Sequence, residues 1–394
     1  MPYVKDYLMT AGPTPLPPAV SQVMAEPMLY HRAPAFIEVY ARCLDRLKQV
    51  FQTENDVLAF AASGSGAMES AVANLVRPGE PALAVSCGKF GERWAELCDA
   101  YGAKTTHHEV EWGTKVEPAE LDRLLGEAQE KFPVVFTTYS ETSTGVVNDI
   151  QALAEVAHKH GALLVVDAVS AVGAIPVNQD AWDIDVVVTG SQKALMCPPG
   201  LAFASPNEKA LAYAAESPGR RFYFDWGLTL KGQRKDPPDS PFTPAVGLFM
   251  ALDVALDLIL EQEGLENVFD RHALLGRATR EAAKALDLEL FGPEDERANV
   301  ATAIRVPEGV DGGKVPKLMR DKYRITVAGG QAQLKGKIVR IAHCGYFGAF
   351  DILTAIGALE MAFTELGHEL ELGAGVAAAQ RIFLEAGVPA ATPA

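Results

Sequence analysis

Two residues of this 394-residue chain stand where side chains could do chemistry. Lys193 closes the run Val186-Val187-Val188-Thr189-Gly190-Ser191-Gln192-Lys193-Ala194-Leu195, and Asp167 directly follows Leu163-Leu164-Val165-Val166. Both runs are short, rich in valine and bounded by glycine or polar residues, so each reads as a strand buried in a parallel sheet. Open α/β sheets take their ligands at the carboxyl ends of such strands, where these two side chains emerge. An amine stripped of water there loses its proton more readily and becomes a nucleophile toward carbonyls. A carboxylate there can keep a ring nitrogen protonated. The pair suits pyridoxal phosphate: the lysine forms the Schiff base and the aspartate maintains the ring as an electron sink. The competing readings are a surface lysine at a strand–helix junction and an aspartate held in a structural salt bridge.

Other residues fit the same chemistry. Ser63-Gly64-Ser65-Gly66-Ala67 follows a strand-like run and opens a helix, so its free N–H groups could cradle a phosphate. Ser65, Gly66 and Ala67 are the expected cup. The loop holds neither lysine nor arginine, so backbone dipoles and hydroxyls must do much of the neutralising. Arg340, in the alternating run Lys337-Ile338-Val339-Arg340-Ile341-Ala342-His343, could grip a substrate carboxylate with two parallel hydrogen bonds. A structural ion pair is its alternative. The histidines do not cluster; His107-His108 with Glu109 lacks a partner set, so no metal is expected.

Three segments, Ser63-Gly64-Ser65-Gly66, Glu141-Thr142-Ser143-Thr144-Gly145 and Gly190-Ser191-Gln192-Lys193-Ala194-Leu195, resemble the class V aminotransferases of pyridoxal-phosphate fold type I. The resemblance runs from Ala11-Gly12-Pro13 to Gly373–Ala379 and is greatest to the serine/alanine–glyoxylate (serine–pyruvate) branch. It implies a large domain with a mostly parallel seven-stranded sheet, a smaller C-terminal α+β domain and pyridoxal 5′-phosphate as cofactor. By the same resemblance Gln192 joins the loop at the phosphate, and Phe90 stacks on the pyridine face. The Thr142 hydroxyl approaches the phenolic oxygen, and Arg340 with Gly12 meets the substrate. Thr243 reaches the cofactor phosphate of the neighbouring subunit in a homodimer with shared sites, and Phe222–Trp226 lies near that interface. Phe90 as an ordinary core residue and Thr142 as a turn stabiliser stay open. The implied reaction moves an amino group from serine or alanine to glyoxylate or pyruvate in two half-reactions. Alternatives are a ureidoglycine or aminophosphonate aminotransferase, a cysteine desulfurase, for which Cys344 is a poor nucleophile, and a non-catalytic subunit that kept the fold.

The elements that must position these residues alternate. Strand-like runs at 57–61, 82–86, 105–110, 134–139, 162–166, 186–189 and 201–204 are separated by helical ones, which predicts a parallel sheet covered on both faces. Helical spacing also marks 24–50, 246–261 and 267–285, and short strands follow at 301–306 and 339–342. The expected division is an N-terminal arm (1–16), a large cofactor-binding domain (17–264) and a small domain (265–394). A hydrophobic fraction of 48% excludes a disordered chain, and a net charge of −16 argues against nucleic acid or anionic lipid as partner. Five scattered cysteines point to a reducing compartment, and no leader or membrane-length apolar run is visible. The expectation is a soluble, cytoplasmic protein.

Overall fold

The valine-rich runs are strands because β-branched side chains pack well on a pleated surface and can face a core on either side. In the computed structural model, which describes residues 5–217, 219, 221–294 and 297–387, they form one seven-stranded sheet. Its order is Leu58–Phe60, Ala202–Pro206, Val186–Gly190, Leu163–Asp167, Val134–Thr138, Pro81–Ser86 and Lys104–Glu109. All neighbours pair in parallel except Ala202–Pro206, which runs antiparallel to both strands beside it. Alternate residues face opposite ways. Leu83, Val135, Leu164, Val187 and Phe203 enter one core, while Ala82, Phe136, Val165, Val188 and Ala204 enter the other. The strand Lys104–Glu109 is polar and largely exposed because it lies at the sheet edge, where charge discourages pairing with another chain.

A third core lies in the C-terminal part. The strands Ala301–Arg305, Ile338–Ala342 and Ala328–Gly329 form an antiparallel sheet with Ile338–Ala342 in the middle. The helix Leu265–Ala285 joins the two parts: Val268 packs in a core of the large sheet, and Leu275, Ala278 and Ala282 pack in the C-terminal one.

Several elements differ from the sequence expectation. Of the helical spacing over 24–50 only Pro34–Phe51 is helix, and a separate short helix, Pro18–Val23, precedes the stretch. Pro27 and Pro34 interrupt it, since each proline biases the residue before it away from the helical region. The helix Val246–Asp257 widens into a π-helical turn, Leu258–Glu263, before Gly264 at φ +86°. The helices Glu208–Ala215, Trp226–Gln233 and Ala374–Ala386 were not foreseen. The N-terminal arm, of which residues 1–4 lie outside the described residues, is stitched to the C-terminal part. Tyr7–Leu8 pairs in parallel with Ile325–Thr326, and Met9 is buried in the C-terminal core. The arm then turns to the large sheet, where Thr14 N–H donates to the Gln192 carbonyl (3.1 Å) and Thr14 Oγ1 to the Lys193 carbonyl (2.9 Å). Among the described residues no helix is long and apolar enough to cross a membrane.

Met9 is only 1% exposed, so Met9→Ala should leave a cavity and cost about 2–4 kcal/mol. Chemical denaturation of the two proteins checks this. An unchanged midpoint would mean that the arm contributes nothing to the C-terminal core.

Candidate functional site

Asp167 ends its strand and Lys193 lies three residues past the end of the next, so two adjacent parallel strands deliver both side chains to one end of the sheet. Lys193 is 9% exposed. Its Nζ donates to Ser170 Oγ at 2.9 Å and to Thr142 Oγ1 at 3.3 Å, and these two hydroxyls are 3.1 Å apart. Among the described residues no carboxylate forms an ion pair with it. Burial therefore lowers the pKa of the amine, because the charged form has lost its water. The reading of Lys193 as a surface residue does not hold.

Asp167 is 5% exposed and accepts the Val169 N–H at 2.8 Å on Oδ1. Burial pushes its carboxyl up to about 6, opposed by the Val169 hydrogen bond and by the charges of Lys193 and Arg93. No salt bridge holds it among the described residues.

Phe90 stands in the first turn of the helix Lys89–Ala100, with its ring centroid 5.4 Å from Lys193 Nζ. Glu141, which sequence reasoning passed over, fixes that turn. Its fully buried carboxylate accepts N–H bonds from Phe90 (3.0 Å), Gly91 (2.9 Å) and Ser143 (3.0 Å), and the Ser143 hydroxyl (2.6 Å). Such an anion satisfies N–H groups that every helix start leaves open. Gly88 permits the approach, because a Cβ there would collide with the Glu141 side chain.

Arg340 projects from the central strand of the C-terminal sheet and is 7% exposed. Nη1 donates to the Thr142 carbonyl; Nε and Nη2 donate to the Gly329 carbonyl at 3.1 and 2.9 Å. It has no ion-pair partner among the described residues. Each terminal nitrogen of a guanidinium carries two N–H groups, so each keeps one beyond these bonds.

Lys193, Asp167, Phe90, Ser65, Gln192 and Gly12 line one cavity of about 260 Å³. Gly12, at φ +142°, lies so close that a Cβ there would fall 2.9 Å from Lys193 Cε. The helix Gly64–Leu75 begins at the cavity with Ser63 as its N-cap. Its first backbone bond runs from Ala67 N–H to the Ser63 carbonyl (3.1 Å), and the Ala67 side chain sits in the core. The Ala67 amide is engaged in that bond, and the amides ahead of it are those of Gly64, Ser65 and Gly66. Thr243 is not brought to this cavity within one chain. It lines a separate small pocket with Tyr223 and Phe242.

Two further residues escaped the sequence reading. Ser170 is three positions beyond Asp167, and Arg93 is one helical turn beyond Phe90, which is the spacing that could have revealed it. Arg93 Nη1 donates to Ser65 Oγ at 2.9 Å. The set fits pyridoxal phosphate: an amine, an acid, an aromatic face and a helix start line one cavity. Gln192 Oε1 and Ser140 Oγ, whose residues also line it, are buried without a hydrogen-bond partner among the described residues.

The family model described as Aminotransferase class-V matches residues 6–344. A Synechococcus protein named as the small subunit of a soluble hydrogenase is 43% identical over 381 residues, covering 96% of this chain and 98% of its own length. The serine–glyoxylate aminotransferase of Methylorubrum extorquens is 36% identical, with coverage of 97% and 96%. The crystal structure of ureidoglycine–glyoxylate aminotransferase from Bacillus subtilis superposes with a TM-score of 0.91 at 30% identity, covering 97% of this chain and 99% of that one.

The Asp167 environment has a measurable cost. Its carboxyl titrates near 3.8 when unfolded and about 6 when folded, so the fold disfavours the charged form. The contribution of Asp167 to stability is therefore least favourable above pH 6 and recovers as pH falls toward 3.8. Asp167→Asn should stabilise the cofactor-free protein at pH 8, by up to roughly 3 kcal/mol. The gain should shrink between pH 6 and pH 4. Denaturation midpoints of both proteins across that range check it; an Asn variant less stable at pH 8 would refute it.

Proposed function

The chain belongs to the class-V aminotransferase family, and from that premise we propose that it is a catalytically competent pyridoxal-phosphate enzyme. Its reaction moves the amino group of a small α-amino acid, serine or alanine, to glyoxylate or pyruvate. The observation that carries this reading is the Lys193 amine, buried, without an acidic ion-pair partner among the described residues, and hydrogen-bonded to two hydroxyls. A side chain kept only to hold a fold together has no need of that environment, which costs stability whenever the amine is charged.

Bound here, pyridoxal phosphate would supply a conjugated ring able to take up the electron pair left when a proton leaves the donor Cα. The roles of the protein follow from its geometry. Lys193 Nζ, its pKa lowered by burial, takes that proton as general base and returns it as general acid. Ser170 and Thr142 hold Nζ in place between these transfers. Asp167 would hold the ring nitrogen with its carboxylate, and a positive partner there would pull its own pKa back down. Phe90 offers a flat apolar face. Arg340 offers its two remaining N–H groups to the carboxylate that amino donor and 2-oxo acceptor share.

A desulfurase reading needs a thiolate. Cys344 is fully buried, and burial pushes its thiol up to about 11, so it is a poor nucleophile near neutral pH. The likeness to a protein named as a hydrogenase small subunit favours a second reading, in which this chain serves as a subunit of a larger assembly. Turnover separates the two. Loaded protein is mixed with serine, alanine, ureidoglycine or an aminophosphonate, and the 2-oxo product and consumption of glyoxylate or pyruvate are measured by chromatography.

Arg340→Lys keeps the charge but loses the planar fork. It should raise KM for donor and acceptor together, each by about tenfold or more, since one charge-assisted bond is worth roughly 1.5–3 kcal/mol. Amines without a carboxylate should change far less. Donor and acceptor constants that respond independently would remove Arg340 as the shared anchor. No turnover of any pair by loaded wild-type protein would favour the subunit reading.

A further inference from the structure

We propose that Arg93 is the cation of the phosphate cup and acts on the bound anion through Ser65, a refinement that rests on the pyridoxal-phosphate reading above. The cup is otherwise built from neutral parts. The helix Gly64–Leu75 contributes N–H groups and a partial positive charge of roughly half a unit at its start. A phosphate monoester carries about −1.5 to −2 near neutral pH, so a neutral cup leaves much of that charge uncompensated.

Arg93 is placed to supply the missing charge. It lines the same cavity as Lys193 and Ser65 and forms no ion pair with any carboxylate among the described residues. Its Nη1 donates to Ser65 Oγ at 2.9 Å, and its Cζ lies 5.6 Å from the Phe90 ring centroid. A serine hydroxyl has one proton and two lone pairs. Once Arg93 occupies a lone pair, the Ser65 proton is free to turn toward an acceptor in the cavity. The guanidinium thereby orients a donor and places a positive charge behind it.

The position is not left to a flexible side chain alone. Glu141 grips the N–H groups of Phe90 and Gly91 at the start of the helix Lys89–Ala100. That one anchored segment presents an aromatic face through Phe90 and a cation through Arg93. Arg93 can be asked a further question, whether it reads a second carboxylate of a dicarboxylic substrate instead of the cofactor, and binding measurements without turnover answer it.

The experiment compares the affinity of cofactor-free protein for pyridoxal phosphate and for pyridoxal, the same ring without the phosphate, by equilibrium absorbance titration. Inorganic phosphate serves as a competitor that needs no lysine chemistry. Arg93→Gln keeps a donor for Ser65 but removes the charge. It should lower the preference for pyridoxal phosphate over pyridoxal by about tenfold or more and weaken competition by inorganic phosphate in parallel, with pyridoxal affinity unchanged. Arg93→Lys should restore part of the preference. Ser65→Ala, which leaves the helix Lys89–Ala100 untouched, should lower the same ratio and serves if Arg93→Gln does not fold. Equal weakening toward both ligands would reduce Arg93 to a structural residue. An unchanged ratio would mean that Arg93 does not act on the cofactor phosphate; either result overturns the proposal. Wild-type protein that binds neither ligand would instead remove the pyridoxal-phosphate reading on which it rests.

Discussion

An amine buried without an acid to pair with it among the described residues is the constraint on which the rest of this structure depends. A charged lysine at that depth is costly, and the usual remedy is a carboxylate within salt-bridge distance. Lys193 has hydroxyls instead, Ser170 and Thr142, which can serve the neutral amine as well as the charged one. The surroundings lock this choice in. Gly12 lies against the lysine side chain where any other residue would collide, and Thr14 holds the Lys193 carbonyl. The arm that carries both residues is itself tied down by Tyr7–Leu8 and Met9 in the C-terminal part. A site that needs a deprotonated lysine thus recruits chain from both ends of the molecule.

The loop from Glu141 to Gly145 makes that recruitment cooperative. Glu141 fixes the helix bearing Phe90 and Arg93, the Thr142 hydroxyl meets Lys193, and the Thr142 carbonyl receives Arg340 from the C-terminal sheet. Three consecutive functions therefore hang on two adjacent residues. The carboxylate of Glu141 is fully buried, and desolvation raises its pKa, yet two hydroxyl or N–H donors from Ser143 and two helical N–H groups hold it. Such a group is worth its burial only if the geometry it fixes matters.

How much of this could be read from the amino acids follows from the range of each interaction. The sheet was legible because buried parallel strands are continuous apolar runs, and Lys193 and Asp167 stood out because a charged residue ending such a run must face a site. The helix opening at Ser63 was legible from its glycines, but not where its hydrogen bonding begins. Ser170, Glu141 and Arg93 were missed for a different reason. Ser170 and Glu141 act from irregular backbone or a two-residue strand, where no periodicity marks a direction, and Arg93 acts on Ser65 across 28 positions of sequence. Thr243 shows the opposite limit. Its expected role lies in a neighbouring subunit, and one chain places it in a pocket of its own. The break near Pro27 and Pro34 was in plain view, yet apolar spacing outweighed it in the reading of 24–50.

The most direct measurement of the central claim is reductive trapping. Protein loaded with pyridoxal phosphate is treated with borohydride, digested, and mapped by mass spectrometry. A single pyridoxyl addition on the peptide containing Lys193, lost in Lys193→Ala, is the expected result. Addition at another lysine, or none at all while the cofactor remains bound, would contradict the assignment of Lys193 as the reactive amine.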